Sequence, residues 1–360
     1  MPAARDLPIG IQTNGIKHTH ADPMPDVDTR FAMVREAGVF DYVDKTPDPD
    51  RIDDFARASE KYGIPVRCGG WFYALGQDEP LLVANLDTAR RLGSAIHNVQ
   101  VKVNRADGRP VTDQEVADFY AFAFEEGEKR GVQPCFEIHV NMWSEDFRRV
   151  ATVARMVEAR GLPYRMTLDH SHVIFKIDHP EEQDVSGIRE DVESGRLILD
   201  PARPGHVCGT WIDAGWVRHC HARAAVPNNP RNTAATGPDG RPGRGIQYPF
   251  ADPGPGNYHA DWDAARLEPW KDVIRQLMRK HAADPASPLG QISTEFIPNL
   301  DYGEGCRYSL FEQSIACAVW LRETWAAVAR ARSRRIGWTH GPRNARHPIA
   351  LGPRSRSPAT

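Results

Sequence analysis

Short apolar runs alternate along the chain with segments whose apolar residues recur at helical spacing, and several of the runs end on an acid or an imidazole. Residues 8–13 read as a first strand. Residues 28–38, with Phe31, Val34 and Ala37 on one face, read as a helix closed by a glycine. Residues 40–44 predict strand two, followed by a helix over about 49–62, with Asp48 placed to cap it and Pro49 at a position needing no N–H. Residues 64–68 and 98–103 predict strands three and four. The helix over 112–130 opens on Thr112-Asp113-Gln114-Glu115, which has the form of a capping box.

Four further runs supply strands five to eight: Phe136-Glu137-Ile138, Thr167-Leu168-Asp169, His219-Cys220-His221 and Ser293-Thr294-Glu295. Helices are expected over about 144–159, 263–281 and 310–331, with a looser region of helical potential after Asp169. Eight strands, each followed by a helix or a long loop, fold most economically as an α/β chain, a (β/α)8 TIM barrel, because each parallel crossover must return right-handed. No short repeat is apparent beyond this alternation. Residues 173–216 and 224–260 are longer than simple crossovers, so long loops after strands 6 and 7 are expected on the ligand face. Within the second, residues 252–259 are placed to wall the site or act as a lid.

Composition narrows the class. At 360 residues, a net charge of −3 and 26% charged residues, the chain reads as one globular barrel over 1–329 without a bias toward polyanions, so nucleic acid is not an expected partner. Residues 330–360 carry eight arginines and no acid, and read as a basic, disordered tail. The cysteines form no CxxC pair, and the start of the chain shows no uninterrupted apolar core. The expectation is a reducing, cytoplasmic setting with no membrane contact.

The chemistry rests on four residues. In a βα barrel the residue at a strand's C-terminal end points into the mouth where ligands bind. Glu137, Asp169, His221 and Glu295 stand at four such ends, and we expect them to converge on one divalent cation. Three carboxylates and one imidazole suit Mn²⁺ best, with Mg²⁺, Co²⁺ or Zn²⁺ as alternatives, and leave open positions for substrate oxygens. Such an ion acidifies a C–H beside a carbonyl, and Glu137 and Glu295, from different sides, suit removal of a proton on one face and its return on the other. Any one of these acids in an apolar run also reads as a barrel-layer or salt-bridge residue.

His219 competes with His221 for the ligand position, since alternate residues of a strand share a face; otherwise it is a second donor or a substrate contact. His172 and His139 are candidate substrate contacts, while His170 is expected to face the helices. Arg223 is placed to hold a hydroxyl or phosphate oxygen. Lys102 reads either as an electrophile or as a structural ion-pair residue. Trp71 and Phe72 offer rings for the C–H face of a sugar, or anchor a loop, and Trp143 stands similarly after strand five.

The segments around Glu137, Asp169-His170-Ser171-His172, His219-Cys220-His221 and Glu295 together resemble the xylose isomerase-like TIM barrel superfamily of sugar phosphate isomerase/epimerase proteins. The resemblance implies a metal at Glu137, Asp169, His221 and Glu295, an acid/base pair of Glu137 and Glu295, and a substrate contact at His172. It implies a divalent-metal-dependent sugar isomerase or epimerase. The alternative is a lyase, either a dehydratase or a C-glycoside-cleaving enzyme with a small partner subunit, using the same site; a non-catalytic sugar-binding protein is the third reading. Residues 67–68 and 101–103 lack the extra histidines of the endonuclease branch. Ala222-Arg223-Ala224, where ketose 3-epimerases place an acid, together with the larger loops, points toward a bulkier substrate. Barrels of this class commonly pair as homo-oligomers.

Overall fold

The computed structural model describes residues 6–338, with side chains described through residue 332. Eight parallel strands close into a barrel: β1 (Ile9–Gln12), β2 (Tyr42–Asp44), β3 (Val66–Tyr73), β4 (Ile96–Val101), β5 (Gln133–Glu137), β6 (Met166–Asp169), β7 (Val217–Ala222) and, last in the chain, β10 (Gln291–Thr294). Around the barrel the order is β1-β10-β7-β6-β5-β4-β3-β2. A short antiparallel hairpin, β8 (Asn232–Thr236) and β9 (Pro242–Gly243), is separate from it.

The barrel strands are nearly free of exposed residues, as expected when helices cover the sheet's outer face. The core is correspondingly continuous, running from Ile9 and Phe31 through Phe136, Trp211 and Trp270 to Leu321. Local rules place the helix ends. Asp26 accepts from the Thr29 N–H to open the helix Val27–Ala37, and Gly38, at φ 64°, ends it in the left-handed conformation that glycine adopts without penalty. Thr112 and Glu115 form the reciprocal capping box.

Three local expectations need correction. Asp48 makes no side-chain capping bond; Pro49–Arg51 forms a 3-10 turn instead, and the α-helix starts at Ile52. Strand three is longer than expected, so Trp71 and Phe72 lie on β3 itself. The helix that begins at Leu310 runs to Trp338, so the expected boundary at 330 falls inside it; the remainder of the basic segment lies outside the described residues.

Both long insertions carry structure of their own. Residues 170–216 contain four short helices, the last of which, Val207–Asp213, packs on the helix Glu268–Ala283. The β8/β9 hairpin packs on the turn Leu300–Tyr302, just beyond the C-terminal end of β10, which brings the second insertion to the mouth of the barrel.

Candidate metal centre and cavity

Glu137 and Asp169 are the last residues of β5 and β6, His221 is the penultimate residue of β7, and Glu295 directly follows β10. These strands are successive neighbours in the barrel, and the register sets Asp169 beside His221 and His221 beside Ser293. One potential ligand atom from each of Glu137, Asp169, His221 and Glu295 lies within 4.8 Å of all the others, and all four residues are buried. His221 Nδ1 is 2.8 Å from Glu137 Oε1 and 3.1 Å from Glu295 Oε2.

Each member is held from behind. Asn98 Nδ2 and Gln100 Nε2 both donate to Glu137 Oε2. Asp169 Oδ1 accepts from the Ser171 hydroxyl and N–H, at 2.5 and 3.1 Å. Arg223 joins two of the acids, with Nη2 2.7 Å from Glu295 Oε2 and 3.1 Å from Asp169 Oδ2; its guanidinium lies 4.2 Å from the centre of the Tyr302 ring. His221 Nε2 faces Asp44 Oδ2 at 3.2 Å, and the same oxygen accepts from the Ser293 hydroxyl at 2.8 Å.

Electrostatics follow from this crowding. Burial alone would raise the Asp169 carboxyl, but His172 and Arg223 hold it well below its ordinary value. Burial likewise opposes ionisation of Asp44, yet His221, His219 and Ser293 bring it down to about 2. His221 is penalised by burial, and Glu295, Glu137 and Asp44 together still push it well above the ordinary imidazole value. Glu137, Asp169, Glu295 and Asp44 against Arg223 and a protonated His221 still leave an excess of negative charge, which is costly in a dry interior. A divalent cation relieves that excess, so the donor set fits one.

The cluster opens into a cavity of about 170 Å³ at the barrel mouth, bordered by His139, Arg223 and Glu295 on one side and by Lys45, Trp71 and Phe72 on the other.

No family model matches the chain, and no curated protein matches its sequence. Solved structures do match. The chain is similar to an L-ribulose 3-epimerase at 13% identity and a TM-score of 0.51, over 94% of this chain and 100% of that one. It is similar to the D-allulose 3-epimerase of Methylomonas sp. at 11% identity and a TM-score of 0.52, covering 88% and 98%. A xylose isomerase-like TIM barrel/4-hydroxyphenylpyruvate dioxygenase fusion protein matches at 15% identity and a TM-score of 0.51, over 92% of this chain and 45% of the fusion. The fold is that of the xylose isomerase-like TIM barrels. The IOLI protein, solved with a binding zinc atom, is similar at 12% identity and a TM-score of 0.50, covering 91% and 99%.

Within this barrel the remaining candidates divide. Trp71, His139 and Arg223 line the cavity. His139 turns Nδ1 to the Val140 carbonyl at 2.6 Å and Nε2 toward the Tyr302 hydroxyl at 3.3 Å. His172 is buried behind the wall, its ring 4.3 Å from that of His139 and its Nε2 3.2 Å from Asp169 Oδ2. His170 stacks on Trp270 among the helices. His219 is not part of the four-residue cluster, but with Asp44 and His221 it forms a second group of potential ligand atoms within 4.8 Å of one another; it is bonded to Ser293 Oγ at 3.0 Å and lies 3.5 Å from Cys68 Sγ. Lys102 is exposed, because β4 ends at Val101, and it does not reach the cavity. Trp143 is buried in the core.

Sequence reasoning passed over Asp44, Asn98, Gln100 and Tyr302. Asp44 ends an apolar run exactly as Asp169 does, and Asn98 and Gln100 are spaced by two on a strand, so both signals were legible. Tyr302 was not, since nothing local distinguishes a loop tyrosine that tertiary packing brings over an arginine.

Proposed function

We propose that the protein is a divalent-metal-dependent sugar isomerase or epimerase that removes a proton beside a carbonyl and returns it. The observation that carries this reading is the convergence of Glu137, Asp169, His221 and Glu295 within 4.8 Å at the base of a cavity. The sugar epimerases that share the fold, and the zinc-binding IOLI protein, support it.

Those four residues would hold the ion, with Mn²⁺ favoured by the oxygen-rich set. When bound, a divalent ion supplies polarisation of the substrate's carbonyl and hydroxyl oxygens, which acidifies the neighbouring C–H. The protein's own groups do the rest. Glu137 and Glu295 stand on strands three places apart around the mouth, so each carboxylate approaches a bound sugar from its own side. Asn98 and Gln100 fix the orientation of Glu137, and Arg223 that of Glu295, so neither must reorganise as the proton moves. His139 borders the cavity with its ring nitrogens engaged by Val140 and Tyr302, and Trp71 offers a face to the sugar's C–H bonds.

Metal analysis of purified protein, followed by incubation with ketoses and inososes in D₂O, tests the proposal. Wild type carries a stoichiometric divalent ion and leaves deuterium at one carbon of an unbroken sugar. Glu137→Gln and Glu295→Gln each slow that exchange by about 10²–10⁴-fold. Wild type that binds no divalent metal would overturn the mechanism. Loss of water or of an aglycone in place of exchange would make the enzyme a lyase working through the same carboxylates.

A further inference from the structure

Arg223 joins two of the four candidate ligands, yet its own hydrogen bonds do not fully hold it. The buried guanidinium is shared between Asp169 Oδ2, 3.1 Å from Nη2 and 3.2 Å from Nε, and Glu295 Oε2, 2.7 Å from Nη2. All of these bonds lie along one edge of the planar fork, and Nη1 has no hydrogen-bond partner among the described residues. The edge is fixed, but the tilt of the plane is left to whatever packs on its face. That face meets the Tyr302 ring, whose centre lies 4.2 Å from the guanidinium carbon. An aromatic face attracts a cation, most strongly where water is excluded.

The same tyrosine reaches the cavity wall. His139 directs Nδ1 to the Val140 carbonyl, which can only accept, so its Nε2 is left as the acceptor and the Tyr302 hydroxyl donates to it at 3.3 Å.

Tyr302 is itself held by a part of the chain that supplies no ligand. It closes the turn Leu300–Tyr302 that follows β10. Asn232 at the start of β8, buried, donates through Nδ2 to the Leu300 and Glu304 carbonyls, both at 2.9 Å. Just after β9, the Arg244 N–H donates to Asp301 Oδ1 at 2.9 Å and the Ile246 N–H to the Asp301 carbonyl at 2.8 Å. Gly243 passes so near that a Cβ there would collide with the Leu300 carbonyl, an approach that only glycine permits. Tyr302 is thus gripped on both sides in the sequence, each time by the second insertion.

Resting on the metal reading above, we propose that Tyr302 is a positioning residue of the metal centre and that the β8/β9 insertion is its clamp. The insertion fixes the turn, the ring fixes the plane of Arg223, and Arg223 in turn holds the Asp169 and Glu295 oxygens at one spacing. An insertion that contributes none of the four ligands thereby completes the centre.

Cobalt binding to the full chain tests this, read as affinity in competition with a chelator and as the visible d–d spectrum, which reports the geometry around the ion. Tyr302→Leu is expected to bind Co²⁺ about 10–100-fold more weakly than wild type, with a shifted spectrum. Tyr302→Phe keeps the ring and is expected to stay close to wild type. Asn232→Ala, at a position outside both the cluster and the cavity wall, is expected to move both readouts in the direction of Tyr302→Leu. Combined with Tyr302→Leu it should add little, because both changes act through one ring. A folded Tyr302→Leu whose affinity and spectrum match wild type, whatever its melting temperature, overturns the proposal. Losses that multiply in the double variant, or a Tyr302→Phe as weak as Tyr302→Leu, overturn it as well. Should Tyr302→Leu fail to fold, Asn232→Ala decides: unchanged affinity and spectrum sink the clamp. Wild type that binds no Co²⁺ or other divalent ion overturns the metal reading, and this inference with it.

Discussion

His221 presents one ring nitrogen to two carboxylates and the other to Asp44, so Asp44 sets which nitrogen is available to a cation. Removing that support leaves the imidazole free to rotate and less basic. Asp44→Ala is therefore expected to weaken divalent-metal affinity by about 10–100-fold, measured by competition against a chelator, while Asp44→Asn retains part of it. Unchanged affinity in Asp44→Ala would show that Ser293 and the packing of His219 suffice to orient His221. At this scale most of the centre was legible: Glu137, Asp169, His221 and Glu295 each end an apolar run, and the structure brings them together. Lys102 misled because a one- or two-residue difference in where β4 ends decides whether a side chain enters the mouth or faces solvent.

Among the elements, the β8/β9 insertion is tied down by charge. Lys176, fully buried, bonds to Glu145 Oε1 at 2.9 Å and to the Glu182 carbonyl at 2.7 Å, and Arg244, just after β9, reaches the same Glu145 oxygen at 2.6 Å and Glu182 Oε2 at 3.0 Å through Nε. The Arg244 N–H also donates to Asp301, beside Tyr302. Glu145→Gln leaves Lys176 without its acid partner and is expected to cost about 3–5 kcal/mol in denaturant unfolding, with faster amide exchange across residues 230–247. Exchange confined to global unfolding would contradict the latch. Burial alone would raise the Glu145 carboxyl, but Lys176 and Arg244 hold it at about 2, below its ordinary 4.5. Its stabilising contribution is thus complete above the ordinary carboxylate value and is lost as pH falls toward 2, a loss that the Gln variant lacks. The element alternation was readable from periodicity, whereas this latch joins residues about a hundred positions apart and has no local signature.

For the molecule as a whole, buried histidines set the acid limit. Burial holds His20, His97, His139, His170 and His259 at about 4 and His219 at about 3, against an ordinary value of 6.5. Between those values the unfolded chain binds more protons than the folded one, so stability is full above pH 6.5 and falls as pH drops toward 4. His221, raised by its carboxylates, opposes this in metal-free protein. The melting temperature is expected to fall across that window with net proton uptake on unfolding; a flat profile would mean the histidines are solvated. Chelation is expected to lower the melting temperature at neutral pH, and cation at about a hundredfold over its Kd to restore about 2.7 kcal/mol. No helix among the described residues is long and apolar enough to cross a membrane.

Apolar runs of strand length alternating with helical periods, and the requirement that parallel crossovers return on one hand, determined the barrel and the four strand ends that carry its acids, because those constraints act within a few residues or between neighbours in the chain. Which imidazole of the His219/His221 pair joins Glu137, Asp169 and Glu295, and that Arg223 is spent on Asp169 and Glu295, were decided only by tertiary structure. Closing the barrel sets the depth and stagger of every strand against its neighbours, and that depth is a property of the whole ring.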